Sequence, residues 1–252
     1  MLKTVSKLFV ASLMASTLFS CKKDKSLNQC NLAALTDSTT SLQSSTRFTY
    51  DNQNRLSSIV ITGQGACTRT FQYVGNSIIF TVKDTSAGLL NEIDTVTLNS
   101  NNLMQGVTKF FPSSGEKYNI RYFYDIPGIK QATYSIKSGD NESDTTGYAI
   151  SNGDLIYDSL VGHTAHKNDF TYTSSKPIVY GDPTYFRQLL NYGAYYYINV
   201  HMLDVLYTAG KSYKAYSYTF SNNRISQERL RIWTSGTTDT VTHIINYSYS
   251  CK

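Results

Sequence analysis

Along most of this chain, large apolar side chains fall at every second position. Tyr118, Ile120, Tyr122 and Tyr124 would share one side of an extended segment while Asn119 and Arg121 take the other. The spacing recurs at Phe48/Tyr50, Phe71/Tyr73, Tyr216/Tyr218/Phe220 and Ile245/Tyr247/Tyr249. Successive side chains of a strand point to opposite faces, so this period predicts antiparallel strands with one apolar and one wetter face. Short polar clusters separate the runs: Asp51-Asn52-Gln53-Asn54, Gly75-Asn76, Asn101-Asn102, Ser113-Ser114-Gly115, Gly139-Asp140-Asn141, Asn152-Gly153-Asp154, Asn222-Asn223 and Ser235-Gly236. Glycine, asparagine and aspartate accept the positive φ of tight hairpins, so each cluster predicts a reversal of the chain.

One interval breaks the pattern. Asp182 before Pro183, then Thr184 to Leu190 with Gly193 beyond, has the N-cap, first-turn proline and trailing glycine of one short helix near residues 184–191. The predicted fold is therefore all-β: a large curled or barrel-like antiparallel meander of about a dozen or more strands, with that helix covering or plugging one opening.

Composition agrees with the pattern. Twenty-one tyrosines and 11 phenylalanines stand beside one tryptophan and four prolines, and such rings, with abundant Thr, Ser and Asn, suit pleated strands joined by polar turns. No Pro- or Gly-rich linker divides the chain, so residues 30–252 are expected to form a single antiparallel β domain.

The N-terminus has a different character. Lys3 and Lys7 precede an uncharged, mostly apolar run from Leu8 to Phe19, then Ser20 and Cys21. This is the layout of a secretory leader over residues 1–20, and the run is too short for a membrane span of about 20 residues. Leu18-Phe19-Ser20-Cys21 resembles the lipobox of bacterial lipoproteins, which implies cleavage before Cys21, lipidation of that cysteine with palmitate-type acyl chains, and a polar tether over residues 21–29. Each buried methylene contributes about 0.8 kcal/mol to anchoring. The expected location is the cell envelope, on an outer membrane, facing the periplasm or the surface. Removing Lys3 and Lys7 with the leader lowers the net charge from +5 to +3. The excess is dispersed, so nucleic acid is not an expected partner.

Four cysteines are present, and lipidation of Cys21 leaves Cys30, Cys67 and Cys251. Export permits a disulfide, so the odd count predicts one bridge and one spare thiol. Cys30 with Cys251 would tie the domain's two ends together, and Cys67 with Cys251 is the alternative.

Three stretches echo one another: Phe48-Thr49-Tyr50-Asp51-Asn52-Gln53-Asn54-Arg55-Leu56, Tyr122-Phe123-Tyr124-Asp125-Ile126-Pro127-Gly128-Ile129-Lys130, and Tyr218-Thr219-Phe220-Ser221-Asn222-Asn223-Arg224-Ile225. Each reads as a hairpin whose aromatics close one strand before a polar turn. The Tyr-Asp-x-x-x-Arg-Leu-x-x-Ile run from Tyr50 to Ile59 resembles the repeated tyrosine-aspartate hairpins of Bacteroidota envelope lipoproteins. The order of parts resembles an uncharacterised Bacteroidota lipoprotein family described as having a porin-like fold: an early cysteine, hairpins, Lys176-Pro177 to Tyr185 before a helix, and a terminal Tyr-Ser-Cys. The resemblance implies a fold and an address, and supplies no catalytic residues.

Few residues suggest chemistry. His163 and His166 would need a further ligand such as Asp158 or Asp169 to hold a metal, and read as a solvated loop. Asp140, Glu142 and Asp144 read as a polar turn more readily than a calcium site. No nucleophile elbow, phosphate loop or His-Glu-x-x-His motif occurs, and no cofactor is expected. Tyr180, Tyr185, Tyr192, Tyr195, Tyr196 and Tyr197, with Trp233 elsewhere, could contact a sugar, lipid or peptide as well as pack a core. The expected function is thus a membrane-anchored, non-enzymatic binding or structural protein, its partners a membrane through the lipid and a glycan, lipid or envelope protein. The alternatives are a glycan- or peptide-directed hydrolase with dispersed carboxylates and a lipid carrier.

Overall fold

The computed structural model describes residues 30–84, 88, 90–125, 128–137, 140–160, 167–177, 200–208, 212–234 and 240–251. The helix read near 184–191, the tyrosines from Tyr180 to Tyr197, His163, His166 and Cys21 lie outside the described residues. Sixteen strands run through the described part: β1 (Cys30–Ser38), β2 (Gln43–Tyr50), β3 (Leu56–Gly63), β4 (Cys67–Val74), β5 (Ser77–Asp84), β6 (Leu90–Leu98), β7 (Met104–Phe111) and β8 (Glu116–Asp125), then β9 (Gly128–Lys137), β10 (Asp140–Ser151), β11 (Asp154–Leu160), β12 (Lys167–Pro177), β13 (His201–Thr208), β14 (Ser212–Ser221), β15 (Arg224–Thr234) and β16 (Thr240–Cys251). Each pairs antiparallel with its sequence neighbours, and β1 also pairs with β16, so the sheet closes into a barrel. Closure leaves none of the described strands with an edge open to pairing with another chain.

The alternation decides the two faces. Leu32, Ile59, Ile78, Val96, Met202 and Ile225 are almost wholly buried, and their apolar cluster takes in Phe48, Phe71, Phe80, Met104, Val107, Ile120, Tyr122, Ile245 and Tyr247. These residues come from β1 to β8, β13, β15 and β16, and the face that strands of a closed barrel bury together is the concave one, so the side chains point into the lumen. Their alternates, among them Arg47, Thr49, Thr70, Gln72, Thr95, Thr97, Thr108 and Arg121, are exposed on the convex face.

The apolar cluster is concentrated toward one end. It occupies the last residues of the even-numbered strands and the first residues of the odd ones, beside the tight turns at 51–55, 75–76, 99–103 and 222–223. Asn54, Asn102, Asn152, Asn222 and Asn223 there take positive φ. Asp51 and Asn99 do the same job two hairpins apart. The Asp51 carboxylate accepts the N–H groups of Gln53 and Arg55 at 2.9 and 2.8 Å, and the Asn99 carbonyl those of Asn101 and Leu103 at 2.9 and 3.0 Å.

The same end is laced by tyrosines. Tyr50, Tyr73, Tyr124, Tyr172 and Tyr218 each donate the phenol hydrogen, over 2.5–2.9 Å, to a backbone carbonyl of the preceding strand: Leu32, Leu56, Met104, Leu155 and Leu203 respectively. In these five, the ring adds apolar area on the lumen side and the hydroxyl still finds an acceptor on the wall. Cys30 and Cys251 stand opposite one another in the β1–β16 register and are joined in a disulfide, leaving Cys67 free.

Candidate functional site

Toward the other, loop end, the lumen face turns polar. The row formed by Ile78, Val96, Val107 and Ile120 is followed, one step along the same strands, by Phe80, Asp94, Lys109 and Tyr118. Lys109 Nζ lies 2.7 Å from Glu92 and 4.0 Å from Asp94, whose side chain is fully buried. Burial, and then the neighbouring Glu92 carboxyl, push the Asp94 pKa up to about 8, against the pull of Lys109. Asp94 is therefore largely protonated at neutral pH, a carboxylic acid held against a lysine–glutamate pair.

Other polar groups of this face tie neighbouring strands. His243 Nδ1 lies 3.0 Å from the Asp37 carboxylate, joining β16 to β1. A small cavity of about 40 Å³ lies beside them, bounded by Thr39, Leu42, Ser44 and Gln64. Asn168 donates to Asp158 at 2.7 Å and accepts from Thr208 at 2.7 Å, spanning three strands. Burial raises the Asp158 pKa, the Asn168 hydrogen bond opposes this, and the Asp169 charge adds to it.

At the turn end, Asp154 accepts the N–H groups of Val200 and His201, both at 2.9 Å, and meets His201 Nδ1 at 2.7 Å. This ties the start of β13 to the start of β11. Gly153 is required there: its φ is +84°, and a Cβ would stand 2.4 Å from the Val200 side chain. A larger cavity of about 540 Å³ lies over the disulfide, walled by Asn222, Arg224, Tyr247 and Tyr249. Neither cavity is lined by Glu92 or Asp94. Among the described residues no group of three or more His, Cys, Asp or Glu could hold a metal ion.

The convex face carries a second feature. Residues paired in register across β11 to β15 are Tyr157, Asp169, Tyr207, Tyr213 and Trp233. Tyr157, Tyr207 and Tyr213 are 37, 45 and 40 % exposed, which is high for rings on a packed sheet. Tyr213 and Trp233 lean together with centroids 5.0 Å apart. Lys167 lies 5.0 Å from the Tyr157 ring centre and pairs with Asp169 at 2.8 Å. Strand spacing of about 4.8 Å makes the row about 19 Å long.

Of the residues singled out from sequence as ligand contacts, Trp233 alone is described, and it stands with Tyr157, Tyr207 and Tyr213. The signal for those partners was present in parity: Tyr213 and Tyr216 fall on opposite faces of one strand. Which outward rings align, however, depends on register. Asp158 and Asp169, considered as further ligands for His163 and His166, sit at alternate positions of the β11–β12 ladder and so face opposite sides of the wall. That removes them as a pair from any one metal site. The buried carboxyl of Asp94 was missed; a charged residue within an alternating run does not announce its depth.

Comparison with known proteins returns the fold alone. No family model matches the chain, and no curated protein does. Solved structures do, among them a porin-like protein from Bacteroides uniformis (TM-score 0.58, 15% identity, 87% of this chain and 96% of that one) and a porin-like protein from Bacteroides vulgatus (TM-score 0.55, 13% identity, 87% and 98%).

Proposed function

We propose that this chain is a lipid-anchored envelope protein, tethered through Cys21 to an outer membrane, whose barrel is a non-enzymatic binding or structural module and not a channel. The carrying observation is the sense of the two faces. A barrel that spans a bilayer needs an outward apolar band about 25 Å tall above a polar lumen. Here β1 to β8, β13, β15 and β16 bury apolar side chains on the lumen side, and outward positions such as Arg47, Thr70, Gln72 and Arg121 are polar and exposed. The Cys30–Cys251 disulfide suits an exported protein, since such bonds persist in oxidising compartments.

Metabolic labelling with a palmitate analogue, combined with fractionation, tests both parts. Labelled protein in the membrane fraction is expected, with label and membrane association both lost in Cys21→Ala. Retention of Cys21→Ala in carbonate-washed membranes, or ion conductance of the purified chain in planar bilayers, would sink the proposal.

A further inference from the structure

We infer that the convex face of β11 to β15 binds an acidic polysaccharide, with sugar rings laid on Tyr207, Tyr213 and Trp233 and carboxylates directed to Arg229 and Arg231. This rests on reading the barrel as a non-enzymatic binding module and names its ligand. Aromatic faces attract the C–H surfaces of pyranose rings while hydroxyl handles offer hydrogen bonds, and a row about 19 Å long accommodates several sugars end to end.

Charge selects the kind of glycan. Arg229 and Arg231 alternate with Trp233 on β15, opposite Ser217 and Ala215, and both are exposed. The charge of Lys167 is matched by Asp169 at 2.8 Å. No carboxylate of the described residues pairs with either arginine, so among the described residues the two guanidinium groups give the strip positive charge beside its rings. Guanidinium forks bind carboxylates in two-bonded fashion. A neutral glycan would leave them without partners, and nucleic acid would ask for a longer basic track than two side chains.

The protein carries its own reporter, because Trp233 is the one tryptophan of the chain. Polygalacturonate oligomers titrated into the full-length protein should shift its fluorescence in a saturable way. Fully methyl-esterified oligomers, which keep the backbone and lose the charge, should bind roughly tenfold more weakly or worse, as should Arg229→Gln/Arg231→Gln. Tyr213→Ala should weaken both sugars alike. Melting curves matching wild type certify that the variants fold, since all these side chains lie on the surface. Absence of any shift, equal binding of ester and acid, or undiminished binding by the double arginine variant overturns the inference. Membrane retention of the same preparation is scored separately, so a missing ligand is not confused with a missing anchor.

Discussion

At the turn end of the barrel, β5 to β8 meet through Ile78, Val96, Val107 and Ile120; one step along, the same strands meet through Phe80, Asp94, Lys109 and Tyr118. The backbone ladder continues unchanged across that step, but the side-chain physics does not. The first row gains by leaving water, about 25 cal/mol for each Å² of apolar surface removed. The second places a carboxyl in the same shelter and is stabilised only while that carboxyl is neutral. The turn end is therefore where the barrel is held shut, with its disulfide and five tyrosine clamps, and the loop end is where stability responds to solution conditions.

Breaking the turn end at its seam should cost most. Cys30 and Cys251 are 221 residues apart, and closing a loop of that size removes about 5 kcal/mol of unfolded-state entropy on the chain-entropy model. Cys251→Ser should lower the denaturant midpoint accordingly, and hydrogen exchange should rise first in β1 and β16. An unchanged midpoint would mean that the ladder alone closes the barrel.

Next in size is the packed lumen. Ile59 is fully buried in the apolar cluster, and Ile59→Ala should destabilise by ~3 kcal/mol through lost burial and the cavity left behind. Thr95→Ala on the exposed convex face should stay within about 0.5 kcal/mol. Equal losses for the two in urea unfolding would contradict the assignment of faces.

Much of this contrast was legible in the residues and some was not. The alternation of Tyr118 to Tyr124 and the Asn- and Gly-bearing turns follow from local geometry, which one chain segment carries within itself. Closure of β1 on β16 joins segments more than 200 residues apart, and no local pattern encodes that pairing. The row of Tyr157, Tyr207, Tyr213 and Trp233 depends on four successive registers, any of which, slipped by one residue, would turn a ring to the lumen. The burial of Asp94 is likewise collective. Its neighbours Glu92 and Lys109 are equally ionisable residue types, yet each remains partly accessible while Asp94 is sealed.

The loop end yields the third effect. Asp94 has its pKa raised from the ordinary 3.8 to about 8. The folded state thus holds a proton that the unfolded state has released between those values. Stability is fully present below about pH 4 and falls as pH rises toward 8. Asp94→Asn keeps the shape without the ionisation, so its profile should be flatter, and above pH 8 it should be the more stable protein by on the order of 2–3 kcal/mol. Thermal melts of both proteins from pH 4 to 9 provide the check. A parallel pair of profiles would show that Asp94 titrates normally and that the sheltered carboxyl is not the source of the pH response.

The smallest effect isolates what a single clamp adds to the turn end. Tyr73 donates to the Leu56 carbonyl at 2.9 Å while the Arg55 guanidinium lies 4.1 Å from its ring centre. Tyr73→Phe deletes the first contact and keeps the second, along with the ring's burial. The expected loss is ~1 kcal/mol, the net worth of one hydrogen bond. A loss near that for Ile59→Ala would mean that the hydroxyl positions the whole β3–β4 hairpin. No loss would mean that water replaces the phenol at the carbonyl, leaving tyrosine's role here to its ring.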